Sequence, residues 1–158
     1  NPRGLLTPAL NERDNRAFFE GVAREALDLH AEDTEFLRLV MYSALEGHEL
    51  ARMFWDRSIR QSYEVFGAYI RERQREGAFR EIDPFIIVRA FIGMLIHHSL
   101  SNTLWDRSRS LLDVSNEKAA REFTKIVLQG ICRDAAKNPI PAKRKPPAKR
   151  AKTQPKKK

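Results

Sequence analysis

The stretch that decides the fold is "PFIIVRAFIGMLIHHSLSNTLWDR", residues 84–107. Asp83 before Pro84 reads as an N-cap followed by a proline at the first helical position, so a helix opens here and runs to about Arg107. From Phe85 to Ile96 the single charge is Arg89, which leaves the helix apolar nearly all round. A helix on the rim of a monomer shows one apolar stripe and a wet back; this one asks for partners on two sides. Its faces differ. Val88, Phe91 and Leu95 are bulky, whereas Ala90, Gly93, His97 and Ser101 make a face of smaller residues. Small residues allow close helix approach, and Gly130 in the last helix does the same. The expectation is a two-helix face, adding Phe123, Val127 and Gly130, that meets its own copy in a symmetric four-helix interface. The alternative is a central helix buried within a monomer. The longest apolar run falls short of the 18 or more residues of a membrane span, so a soluble chain with no membrane partner is expected.

Working outward, residues 9–138 contain no proline other than Pro84 and no sustained alternation of apolar and polar residues. Their patterns recur at three and four, so the fold class is all-α, a multi-helix bundle of five helices. The first is announced by Thr7-Pro8 and runs to about His30, with the face Phe18, Val22, Ala26, Leu29 flanked by Phe19 and Ala23. The second follows Asp33, carries Phe36, Leu37, Val40, Met41, Ala44 and Leu45, and stops at Gly47. The third is long, about His48 to Glu76, with the stripe Trp55, Ile59, Tyr63, Phe66, Ile70 and Gly77 as its terminator. Ser115 caps the fifth, which presents Ala119, Phe123, Ile126, Val127 and Ile131 and fades near Ala136.

The chain has 158 residues and a formal charge of +8, which resembles a nucleic-acid signature until its placement is read. Residues 139–158 hold nine Lys/Arg and no acid, so the remainder is close to neutral. That segment also holds five of the eight prolines, and its composition predicts a disordered basic tail. Lys143, Arg144, Lys145, Lys149, Arg150, Lys152, Lys156, Lys157 and Lys158 are its candidates for weak, non-specific contact with nucleic-acid phosphates. One cysteine, Cys132, excludes a disulfide framework within the chain and fits a reducing compartment. The sequence opens on Asn1-Pro2 without a basic and apolar leader pattern, so a processed, trimmed or partial chain is expected.

Catalytic chemistry finds little to stand on. GxGxxG, GxxxxGK[ST] and GxSxG are absent. His48-Glu49 begins like HExxH, but position 52 is Arg; His97 and His98 are adjacent and point about 100° apart on a helix. Both read as helix histidines with local hydrogen bonds. Cys132 reads as an inert buried thiol on the last helix. No catalytic residue, metal site or cofactor is assigned. The aromatic stripe is different: Met41, Trp55, Ile59, Tyr63, Phe66 and Phe91 are either plain core or the lining of an apolar ligand pocket.

Three segments in order, "DTEFLRLVMYSALEGHELARMFWDRS" from Asp33, "YIRERQREGAFREIDPFIIVRAFIGML" from Tyr69 and "FTKIVLQGICRD" from Phe123, resemble the C-terminal regulatory domain of TetR-family transcriptional repressors. The resemblance covers about residues 8–136. It implies an all-α domain whose last two helices form the homodimer, placing Gly93 and Met94 in one interface helix and Gly130 in the other. It also implies a small-molecule pocket among the middle helices. Residues 1–7 then read as an N-terminal linker, 8–138 as the ligand-sensing and dimerising domain, and 139–158 as the tail. Family members carry a helix-turn-helix module ahead of this domain, and residues 1–10 are too few to hold one. The expected function is effector sensing and dimerisation in a cytoplasmic, nucleoid-associated regulator, where a small hydrophobic ligand controls DNA binding by an upstream module. The competing reading is a basic-tailed, nucleic-acid-associated protein in which the helical body only dimerises.

Overall fold

The structure, a computed structural model, describes residues 14–133. It is an all-α bundle of five helices: α1 (Asn15–Glu32), α2 (Thr34–Leu45), α3, α4 and α5 (Asn116–Ile131). α3 runs from an α-helical Glu49–Phe54 through a π-helical turn, Trp55–Ile59, into Arg60–Arg75. α4 spans Pro84–Leu100 and closes with a second π-helical turn, Ser101–Trp105.

The caps explain the boundaries. The Asp33 carboxylate accepts the Phe36 N–H at 2.8 Å, Asp83 accepts that of Phe85 at 2.8 Å, and Ser115 accepts that of Lys118 at 3.2 Å. Each satisfies a donor that a helix start leaves without an intrahelical partner. Gly47 and Gly77 adopt φ of 70° and 76°, the left-handed geometry that ends α2 and α3. α1 departs from expectation at its start. Asp14 is extended and its side chain caps the Ala17 N–H, so the helix opens at Asn15; Thr7-Pro8 lies outside the described residues. α5 stops at Ile131 rather than near Ala136. There the chain straightens, and Cys132 pairs with Phe79 in an isolated antiparallel bridge. Arg80 N–H donates to Ile131 O at 2.8 Å and Arg133 N–H to Ala78 O at 3.0 Å. Cys132 therefore sits half-buried just past the helix.

α1 packs along α5 and α4, the second half of α3 packs on α4, and α4 packs on α5. Phe18, Phe19, Phe66, Phe79 and Phe91 meet at the centre. Phe19 makes edge-to-face contacts with Phe66 and Phe91, both at 5.0 Å between ring centroids, and Phe18 stacks on Tyr69 at 3.8 Å. Each buried phenylalanine contributes roughly 1.5–3 kcal/mol from area alone, and each edge-to-face pair about 0.5–1.5 kcal/mol more. The inner face of α1 is Phe18, Phe19, Ala23 and Leu27; Leu29, expected inside, is 56% exposed. The stripe is rotated because both phenylalanines, not Phe18 alone, turn toward α3 and α4.

Pro84–Trp105 is long and apolar enough to cross a membrane by length and composition, contrary to the expectation from its uninterrupted apolar run. One face of it is packed, with Val88, Phe91 and Leu95 fully buried against α1, α3 and α5, and 28% of its most apolar window is buried within the chain.

Candidate functional site

The aromatic stripe of α3 divides at Tyr63. On the C-terminal side, Phe66 and Ile70 are sealed into the core, and Phe91 of α4 meets Phe66 edge to face at 5.8 Å. Phe66 and Phe91, expected in a ligand pocket, are instead interlocked with Phe18 and Phe19; α1 lies over them and leaves them no open side. On the N-terminal side the stripe is open. Trp55 is 45% exposed and stands 5.4 Å from the half-buried Tyr63 ring. Met41 and Ile59 are half-buried, and neither lines the groove described next.

That groove, about 450 Å³, lies between α3 and the start of α4, lined by Trp55, Arg60, Tyr63, Glu64, Phe85, Ile86 and Arg89. It is open to solvent, for every lining residue except the half-buried Tyr63 is exposed. The π-helical turn forms one end. Arg60 N–H reaches back five residues to the Trp55 carbonyl, so the turn carries one more residue than an α-turn, and Trp55 at its start is exposed. Gly67 shapes the other end: a Cβ there would lie 3.2 Å from Phe85 Cε1, so the missing side chain lets that ring settle against α3. The Arg71 guanidinium covers Phe85 at 5.5 Å from its centroid. Arg60 donates to the Glu64 carboxylate at 3.1 Å, whereas Arg89 has no hydrogen bond or ion pair among the described residues. Burial raises the Tyr63 phenol pKa, and the positive charge of Arg89 pulls against that shift. Sequence reasoning noticed Arg89 as the lone charge of an apolar run without assigning it to a site. Phe85, Ile86, Arg60 and Glu64 carried no comparable signal.

A second groove of about 460 Å³ lies between α1 and α5, walled mainly by long polar side chains, including Arg16, Arg121, Lys125 and Gln129. Arg16 pairs with Glu20 and Arg121 with Glu122, so this is a solvated charged surface.

The expected dimer residues also divide. Ala90, Gly93, His97 and Gly130 are exposed, and a Cβ on Gly93 or Gly130 would find no atom within 4 Å. Ile86 (58% exposed) continues this stripe on α4, and Ile126 (56%) flanks Gly130 on α5. Met94 and Phe123 are half-buried against the core. Ser101 and Val127 are buried within the chain, at 6% and 9% exposure, and so are not part of the open face. Ser101 turns inward at the π-helical turn, and Val127 lies on the inner stripe of α5. The candidate nucleic-acid residues from Lys143 to Lys158 lie outside the described residues.

His30 and His98 serve a polar knot at the far end of α4. His30 Nδ1 lies 2.9 Å from Ser99 Oγ, and His98 Nε2 lies 3.3 Å from Asn116 Oδ1 and 3.2 Å from Asn102 Nδ2. Asn116 in turn donates to the Leu27 carbonyl at 3.2 Å, so α1, α4 and α5 are tied together. Burial lowers the pKa of both His30 and His98. Among the described residues no three His, Cys, Asp or Glu side chains gather in a metal-binding cluster. Compared with protein-family models, curated proteins and solved structures, the chain finds no match in any of the three.

Proposed function

We propose that this chain is the effector-sensing and dimerising part of a TetR-type transcriptional regulator, acting on DNA through a helix-turn-helix module upstream. One observation carries the reading: α4 is sealed on one side by the core and bare on the other. Val88, Phe91 and Leu95 are fully buried, while Ile86, Ala90, Gly93 and His97 form an exposed stripe beside Ile126 and Gly130. Bare apolar helix faces are costly in water and mark association sites. The groove adjoins this stripe through Ile86, so a ligand there touches the same helix that pairs the two copies. The mechanism is a population shift, in which the ligand favours one spacing of the dimer and so biases the attached modules. The resemblance of the three segments, in their order along the helices, supports the same reading.

The test is a fusion of a monomeric helix-turn-helix domain to the N-terminus, read by repression of a reporter and by sedimentation equilibrium. Repression and a mass of two chains are expected, and Gly93→Arg should abolish both while the circular dichroism stays helical. A monomer at tens of micromolar sinks the proposal. Dimerisation without any response to apolar ligands supports the bare dimeriser with a basic tail instead.

A further inference from the structure

We propose that the groove between α3 and α4 selects an apolar monocarboxylate, with Arg89 holding the carboxylate and Trp55, Tyr63 and Ile86 covering the apolar body. The inference rests on the reading of this groove as the ligand site and adds the chemical class of the ligand.

Charge complementarity is the first argument. The groove holds two guanidiniums and one carboxylate, and Glu64 is already engaged by Arg60 at 3.1 Å. Among the described residues Arg89 is left without an ion pair, so the lining carries one net positive charge, with the Arg71 guanidinium over Phe85 beside it, and the groove favours an anion. A phosphate dianion would bring a second negative charge toward Glu64.

The position of Arg89 is the second argument. It is the single charge between Phe85 and Ile96, on a helix otherwise suited to burial. Arg16, Arg38, Arg52 and Arg60 pair with carboxylates on their own helix, whereas Arg89, like Arg57 and Arg71 on α3, makes no ion pair among the described residues. Arg89 has no acidic neighbour three or four residues away, where Phe85, Ile86, Ile92 and Gly93 stand, and Glu64 in the same groove is bonded to Arg60 instead. A guanidinium presents a planar fork that fits a carboxylate through two parallel hydrogen bonds.

The walls supply the third argument. Trp55, Tyr63, Phe85 and Ile86 supply apolar surface in the same groove as the cation. Such surface favours an acyl or aryl body over a small hydrophilic acid. The π-helical turn that begins at Trp55 is a local distortion of a kind frequent at functional sites.

The experiment compares octanoate with 1-octanol, which share a chain and differ in charge, on the full chain carrying Trp105→Phe. Trp105 is 66% exposed, so its removal leaves Trp55 as the reporter at little structural cost. Octanoate should change Trp55 emission saturably and bind at least tenfold more tightly than octanol. Arg89→Gln should weaken octanoate at least tenfold and leave octanol unchanged, with Arg89→Lys intermediate. Equal binding of acid and alcohol, or octanoate binding unmoved in Arg89→Gln, overturns the carboxylate assignment while the groove stands as an apolar site. If neither probe perturbs Trp55, the groove is no ligand site and both readings fall.

Discussion

The two halves of α3 carry the same kind of residue at the same spacing and meet opposite fates. Around Phe66, Tyr69 and Ile70 the stripe is closed, because α1 brings Phe18 and Phe19 across it and α4 brings Phe91. Around Trp55 and Tyr63 the stripe is open, because α1 does not reach it and α2 packs on the first turns of α3 instead. Periodicity says which side of a helix is apolar. It does not say whether another element arrives to cover that side. The open half also contains the π-helical turn and faces Arg89 of α4 across the groove, whereas the closed half is regular α-helix packed by rings.

The largest expected effect tests the closed half. Phe91→Ala should cost about 3–5 kcal/mol in denaturant unfolding, the range for truncating a fully buried phenylalanine. Trp55→Ala should cost less than about 1 kcal/mol, because nearly half of that side chain faces water already. Similar losses at the two positions would erase the distinction between core and groove wall.

Acidification tests the polar knot that closes the other end of the core. His30 and His98 have folded pKa values lowered by burial from the ordinary 6.5. His97 and Arg109 also disfavour charging His98, while its bond to Asn116 acts in the opposite sense. The unfolded chain therefore binds more protons than the folded one below about pH 6.5, and stability should fall as pH drops from that value toward the folded pKa values. The double variant His30→Gln, His98→Gln should flatten this slope when unfolding is followed between pH 5 and 7.5. An unchanged slope would assign the acid sensitivity to other groups.

A smaller effect sharpens how dry the closed side is. Thr124 is 1% exposed, and its hydroxyl has no hydrogen-bond partner among the described residues. Thr124→Val keeps the shape and removes an unsatisfied polar atom, which should raise stability by about 1 kcal/mol. A loss instead would show that a water reaches the hydroxyl.

The smallest effect probes the bare face. Gly130→Ala adds a methyl group into open space in the last turn of α5. It should stabilise a single copy by about 0.5–1 kcal/mol at low concentration, from helix propensity alone. If two copies close on this face, the same methyl should weaken their association. The melting temperature of the variant should then exceed the parent's at low concentration and lose that advantage as concentration rises.

The helices themselves were legible before any packing was known. Asp33, Asp83-Pro84 and Ser115 start helices where expected, and Gly47 and Gly77 end them, because caps and left-handed glycines act within a few residues of chain. The all-α class followed from periodicities that are equally local. The rotation of α1 that buries Leu27 and exposes Leu29, the burial of Ser101 and Val127, and the end of α5 at the bridge to Phe79 depend on which elements meet. The site was legible in part. Trp55 and Tyr63 were marked by their spacing, but Phe85 sits close against Gly67 in a contact that only the fold creates, and Arg89 stands out only once Glu64, the carboxylate of the same groove, is seen engaged by Arg60. The sequence by itself determined that the chain is helical and where Asp33, Asp83 and Ser115 start helices and Gly47 and Gly77 end them, since those follow from hydrogen bonds and contacts within one or two turns. Only the tertiary structure decided which apolar side became core and which became groove, because burial depends on a second surface brought from far along the chain.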